Sequence, residues 1–310
     1  MATEGSRKAI IAALLANMGI AVAKLVGFVI TGAASLLAEA LHSAADSGNQ
    51  ALLLLGGKKA RRRATTHHPF GYGRERYFWA FVVALVLFSL GGLFAIFEGV
   101  EKLRHPHELE SAEIAIGILL FAIALETFSL RTAIREANHV RGDQSWWGFI
   151  RHSKSPELPV VLLEDIGAEV GLVLALAGVV VAQATDEPRW DAAGSLSIGI
   201  LLVVIAGILA VEMKSLLMGE SASPKDEALI RQAIEAEPQV RRLIHMRTEH
   251  LGPDELLVAA KLELAGDLTF AEVADAINAT EARLRAAVPA ARVIYLEPDV
   301  VRDAPLPAAD

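Results

Sequence analysis

The 310-residue chain contains no cysteine, which excludes disulfides, thiolate zinc sites, thiol nucleophiles and iron–sulfur clusters. Any metal chemistry must therefore use His, Asp, Glu or other oxygen donors. Charge is also scarce: 21% of residues are charged and 53% hydrophobic, with a mean hydropathy of +0.41. Soluble domains average about a quarter charged, so this balance points to a membrane protein. A basic face is missing as well. The net charge is −8, and residues 221–310 carry 10 Lys/Arg against 16 Asp/Glu, which argues against nucleic acid as a partner. Neither an HExxH motif nor a nucleophile–base arrangement supports an intramembrane hydrolase, so no enzyme activity is expected.

What the chain has is long apolar runs. Crossing about 30 Å of hydrocarbon takes about 20 residues, and six runs qualify: 9–31, 33–57, 77–103, 112–134, 158–184 and 192–217. The first follows Arg7-Lys8 but is too long for a signal peptide, so it is read as a retained span. Lys and Arg gather before the first run, between the second and third, and between the fourth and fifth; the opposite loops hold only Lys102, Arg104 and Arg189. Both termini are therefore expected in the cytoplasm, and the membrane is expected to be a bacterial inner membrane.

After the last run the pattern changes. Ser223-Pro224 followed by acids reads as a helix start. Residues 240–250 and 255–264 read as strands joined at Gly252-Pro253-Asp254. Thr269-Phe270-Ala271-Glu272 reads as a capping box opening a helix whose Phe270, Val273, Ile277, Leu284 and Val288 keep helical spacing, and a third strand covers 292–297. The expected fold class is an all-α transmembrane bundle of six helices (1–220) plus a small cytoplasmic α+β domain of order αββαβ, ferredoxin-like (221–300), and a flexible tail (301–310).

A charged side chain at the centre of a span costs about 2.5–3.5 kcal/mol, so each one requires a reason. The second run carries Glu39, His42, Asp46 and Asn49, and the fifth carries Glu164, Asp165 and Glu169. His42 and Asp46, four apart, lie one above the other on a helix face and can grip one divalent ion. At 1.5 Å per residue Asp46 and Glu169 both lie about 16 Å from the inner end, and Asp165 about 10 Å. Glu164 and Asp165 point about 100° apart, and spacing prefers the pair Asp165/Glu169 on one face. Lys24 and Glu39 lie at matching depth and read as a structural ion pair. Asn17 reads either as an orienter of Asp46 or as a helix–helix hydrogen bond, and Glu126 and Arg131 read as structural.

The segment Thr31-Gly32-Ala33-Ala34-Ser35-Leu36-Leu37-Ala38-Glu39-Ala40-Leu41-His42-Ser43-Ala44-Ala45-Asp46-Ser47-Gly48-Asn49-Gln50, with His68-Pro69-Phe70-Gly71-Tyr72-Gly73-Arg74-Glu75 before the third run, resembles the cation diffusion facilitator family of proton-coupled divalent-metal exporters. The resemblance implies that His42 and Asp46 are transport-site ligands completed by the fifth span. Spacing to Gly171 sets Asp165 in the family's Asp position and Val161 in its His position. Glu164-Asp165 before a Gly/Ala-rich stretch is similar to the branch of the mitochondrial zinc transporter nine group. Glu169 and Glu164 are alternatives for the fourth ligand. His68 matches one ligand of the family's loop site, where Tyr72 takes the second histidine's place and His67 is a substitute. In the tail, the family's metal positions read Ile244, Lys261, Tyr295 and Glu297, a dismantled site, while His245 and His250 read as surface histidines. The 139–157 connection, with Trp146, Trp147 and Phe149, reads as an interfacial helix.

The resemblance thus implies a zinc exporter working as a metal/proton antiporter by alternating access, with manganese, iron and cobalt also open as cargo. No permanently bound cofactor is expected. Divalent metal ions and protons are the substrates, the lipid bilayer surrounds the spans, and the tail implies a homodimer. The alternative is a non-transporting scaffold or metal-responsive regulator that kept the fold.

Overall fold

A computed structural model describes residues 4–106 and 112–301, so the tail expected at 301–310 lies almost wholly outside the described residues. The chain forms two compact units: Met1–Arg61 with Glu75–Lys214, and Arg62–Arg74 with Ser215–Asp310. The first is all helical: α1 (Glu4–Thr31), α2 (Ala34–Ala60), α3 (Glu75–Val86), a π-helical stretch (Leu87–Leu93), α4 (Phe94–Arg104), α5 (Ala112–Arg141), α6 (Trp146–His152), α7 (Glu157–Thr185) and α8 (Arg189–Met218).

All six apolar runs are helical, but among the described residues four helices, not six, are long and apolar enough to cross a membrane: Glu75–Arg104, α5, α7 and α8. α1 contributes a shorter apolar stretch, Asn17–Thr31. α2 is long enough, yet Glu39, His42, Asp46, Asn49 and Gln50 interrupt its hydrophobic window. Those same residues point inward, whereas apolar side chains such as Val29 (75% exposed), Phe121 (64%) and Phe128 (75%) face out, the reverse of a soluble protein's pattern.

Local chemistry sets the corners. Gly32 turns between α1 and α2 with φ +69°, a conformation that costs glycine little. The Ser35 hydroxyl donates to Asp191 Oδ1, tying the start of α2 to the start of α8. Lys58 and Lys59 close α2, where cations suit the negative end of the helix dipole. Small residues let helices approach: a Cβ on Gly99 would stand 2.8 Å from the Leu196 nitrogen, and one on Gly199 2.7 Å from the Ile96 nitrogen, so α4 and α8 touch backbone to backbone. α6 is capped by Ser145, whose Oγ accepts from Gly148 N at 3.0 Å; it buries Phe149 against Ala137 and Leu162 and leaves Trp147 exposed.

The second unit contains α9 (Pro224–Glu235), β1 (Val240–Gly252), β2 (Glu255–Leu264), α10 (Phe270–Ala287) and β3 (Ala291–Pro298). β1 pairs antiparallel with β2, and β2 parallel with β3, in the order β1-β2-β3. Ile230, Ile234, Val258, Leu262, Leu284 and Val288 form its core. Thr269 and Glu272 cap α10 reciprocally, as expected. Backbone donation from Thr269 holds the Glu272 carboxyl below its usual range. Phe270 departs from its expected helix face, standing 89% exposed in the first turn. His250 also differs from expectation. Pairing is regular from His245 to His250, so strand alternation sets the two on opposite faces: His250 turns inward to 4% exposure, with Nδ1 3.3 Å from Gly252 O, while His245 stays on the surface. Segment Arg62–Arg74 belongs to this unit: Arg74 pairs with Glu249, and a Cβ on Gly73 would stand 2.6 Å from Leu251 O.

Candidate metal centre

α2 packs against α1, α3 and α7, and α7 also packs on α5. Helical spacing carries Glu39, His42, Asp46 and Asn49 along one face of α2, and all four are buried. The His42 Nε2 and Asp46 Oδ2 atoms are 3.6 Å apart. Glu39 Oε1, both His42 ring nitrogens, Asp46 Oδ1 and Asn49 Oδ1 have no hydrogen-bond partner among the described residues. Buried polar atoms are ordinarily satisfied. A line of five orphans on one helix face is therefore a feature to be explained by a ligand or a moving proton.

The α7 acids divide between two neighbours. Glu164, 4% exposed, accepts from Asn49 Nδ2 at 2.6 Å and so faces α2. Asp165 accepts from Ser129 Oγ at 3.2 Å, and Glu169 from Thr127 Oγ1 at 2.9 Å, both on α5. The expected face-sharing of Asp165 and Glu169 holds, but in this conformation that face looks at α5 while Glu164 looks at the His42/Asp46 helix. Asp46 lies within Coulombic reach of Glu164, Glu126 and Asp165. Among the described residues no three His, Asp or Glu side chains converge closely enough to hold a metal ion. The structure brings His42 and Asp46 together and sets Glu164 one α2 turn away; it does not draw Asp165 or Glu169 into the same sphere.

Several contributors escaped the sequence reading. Asn49 lacked a role because its partner is 115 residues away. Ser129 and Thr127 lie inside the fourth apolar run with nothing in the sequence to single them out. Glu126 read as structural, yet it sits among the acids of α2 and α7. The π-helical stretch places Gly91 beside the centre, where a Cβ would lie 4.0 Å from His42 Nδ1. Such bulges often occur at functional positions, and the paired glycines Gly91-Gly92 were the available signal. Lys24 and Glu39 pair as expected, Nζ to Oε2 at 3.1 Å, and Lys24 also donates to Ser43 Oγ at 2.8 Å.

The loop and tail positions hold no comparable centre among the described residues. The His68 ring lies against Tyr72, centroids 4.6 Å apart, in an exposed stretch. In the tail, Lys261 donates to Glu297 (2.9 Å) and Asp299 (3.1 Å), so an ammonium stands among the carboxylates.

Comparison with known proteins fits this architecture. Residues 10–218 match the cation efflux transmembrane domain, and residues 222–299 the cation efflux protein cytoplasmic domain. The chain is 31% identical over 269 residues to the mitochondrial proton-coupled zinc antiporter SLC30A9 of Xenopus laevis, covering 86% of this chain and 48% of that protein. It is 29% identical over 265 residues to the Homo sapiens counterpart (85% and 47%), and 28% identical over 235 residues to metal tolerance protein C4 of Arabidopsis thaliana (75% and 51%). The chain spans about half the length of these curated relatives. The two antiporters are named as mitochondrial, so the comparison lends no support to the bacterial inner membrane expected from sequence. The relatives are transporters and not enzymes, and with both of the family's domains matched in order, the chain belongs to the cation efflux, or cation diffusion facilitator, family of integral membrane proteins.

Proposed function

We propose that the chain exports divalent metal cations, zinc foremost, in exchange for protons, by alternating access around His42, Asp46 and the acids of α7. The observation that carries this reading is the buried His42/Asp46 pair with its unpartnered atoms. Donors about 2.0–2.2 Å from one tetrahedral zinc stand roughly 3.3–3.6 Å apart, and the 3.6 Å separation meets that without rearrangement. Nitrogen and oxygen donors suit zinc while leaving manganese, iron and cobalt as competitors. The names of the relatives, proton-coupled zinc antiporters, support the same cargo and coupling.

The ion enters as His42 and Asp46 bind it, and Glu164 closes the sphere by exchanging its bond to Asn49 for the metal. Glu164 is preferred over Glu169 because it faces α2, whereas Thr127 holds Glu169 on α5. Asp165 joins when α7 turns away from Ser129. Metal binding needs neutral imidazole and ionised carboxylates, so protons arriving from the far side at those same atoms expel the ion, and one site couples both fluxes. Both termini lie on the metal-loading side. There the acidic 221–300 domain raises local cation concentration and pairs two copies into a homodimer, while 1–220 carries the lipid-embedded pathway.

The test is reconstitution into lipid vesicles with zinc, manganese, iron and cobalt under an imposed pH gradient. Wild-type protein is expected to move zinc with counterflow of protons, and Asp46→Ala to move neither. Zinc movement without proton counterflow removes the antiport, and full activity in Asp46→Ala removes the site.

A further inference from the structure

The orphan atoms on α2 do not stop at His42. Glu39 lies three residues earlier, about 4.5 Å of helix rise toward the α1–α2 turn, and its carboxylate is wholly buried. One oxygen receives the Lys24 ammonium; the other, Oε1, has no partner among the described residues and points at α7, where residue 171 is glycine. Any side chain at Gly171 would collide with that oxygen, so the space beside α7 is shaped around a carboxylate. An ion pair kept only for packing is a poor use of such a place. Apolar replacements of similar volume often match or exceed a buried pair in stability, and an unsatisfied buried oxygen adds a desolvation cost of about 1–3 kcal/mol.

We infer that Glu39 is a second metal-binding carboxylate on the release side of His42/Asp46, and that Lys24 is its resident cation, which yields the carboxylate to the passing ion. The inference rests on the export reading above. Ser43 makes the exchange practicable, because its Oγ, 2.8 Å from Lys24 Nζ, keeps a hydrogen bond to the ammonium when Glu39 is taken. The divalent ion then moves about one helical turn, from the imidazole and Asp46 to Glu39. The returning ammonium displaces it toward the Gly32 turn.

Three variants of the full chain, Glu39→Gln, Lys24→Met and the double Lys24→Met/Glu39→Gln, test this by zinc calorimetry in detergent and zinc release in vesicles, with Asp46→Ala as reference. Glu39→Gln is expected to keep zinc affinity within about threefold of wild type while release slows about tenfold. Lys24→Met, which bares the carboxylate, is expected to bind zinc about tenfold more tightly and also release it slowly. The double variant has no buried charge left to strand, so it serves if the single variants fold poorly. Near-wild-type affinity with slow release in Glu39→Gln, or slow release in the folded double variant, bears the inference out. Wild-type release in the folded double variant overturns it and returns Lys24–Glu39 to a packing role. If Asp46→Ala itself binds and transports normally, the export reading fails instead, independently of Glu39.

Discussion

Lysine meets carboxylate twice in this chain, in opposite settings. In the helical unit Lys24 and Glu39 are 1% and 0% exposed, and one Glu39 oxygen is left over. In the tail Lys261 lies at the sheet surface with Glu297 and Asp299, 32%, 63% and 20% exposed, and none of their oxygens is buried without a partner among the described residues. The hydrogen bonds it donates, to Glu297 first and then to Asp299, push the Lys261 amine above its usual value. Such a pair adds stability at pH values below the ordinary lysine range and loses it only as pH rises through the elevated value, far above neutrality. The tail pair is therefore a settled arrangement across physiological pH, and exposed pairs of this sort contribute little. The helical unit keeps unsettled groups where they are expensive, and such groups belong to function.

The largest effect that would sharpen this contrast is expected at the orphan stripe. Asp46→Asn keeps shape and removes the charge, and should lower zinc transport at least 100-fold with an unchanged melting temperature; a marked loss of thermal stability would mean the carboxylate is structural. Next comes the choice between the α7 acids. Asn49→Ala frees Glu164 and should change zinc affinity by about tenfold, whereas Thr127→Ala should change it less than about twofold. The reverse order, read by calorimetry, would make Glu169 the closing ligand. In the tail, Thr269→Ala removes the α10 cap and should cost about 1 kcal/mol locally, visible as faster amide exchange at Glu272 with zinc affinity unaltered. The smallest effect is expected for Lys261→Met, with no change in zinc affinity or in its pH dependence between about pH 6 and 8. A new tight metal site in that variant would show that the tail's ligand positions were masked, not lost.

Much of this contrast is legible in the residues. The αββαβ order, the Thr269–Glu272 capping box and the Lys24–Glu39 pair follow from spacing and depth, since each depends on neighbours along one helix or on matched positions in adjacent ones. His42 and Asp46 follow from the i, i+4 rule. What could not be read depends on helix rotation and long-range partners. Whether Glu164 or Glu169 faces α2 is a matter of how α7 is turned by its contacts with α5, and Ser129 and Thr127 carry no local mark of that job. Alternation sets His245 and His250 on opposite faces of β1, but which face the rest of the unit covers depends on long-range packing, so the burial of His250 had no local mark. The polar face of α2 acts in another way: the residues that make it interesting are those that keep α2 from being as apolar as the four spanning helices.

The attachment of Arg62–Arg74 to the tail unit bears on how the domains are dissected. Gly73 meets the β1–β2 turn so closely that no larger residue fits, and Arg74 grips Glu249. Truncating the chain after α8 would strip this strap of its seat while leaving it spliced between the helix that carries His42 and the one that carries Gly91. Lost transport in such a truncation would then report a strap cast adrift as much as a missing dimer partner. Severing the grip alone, by exchanging Glu249, is the cleaner cut.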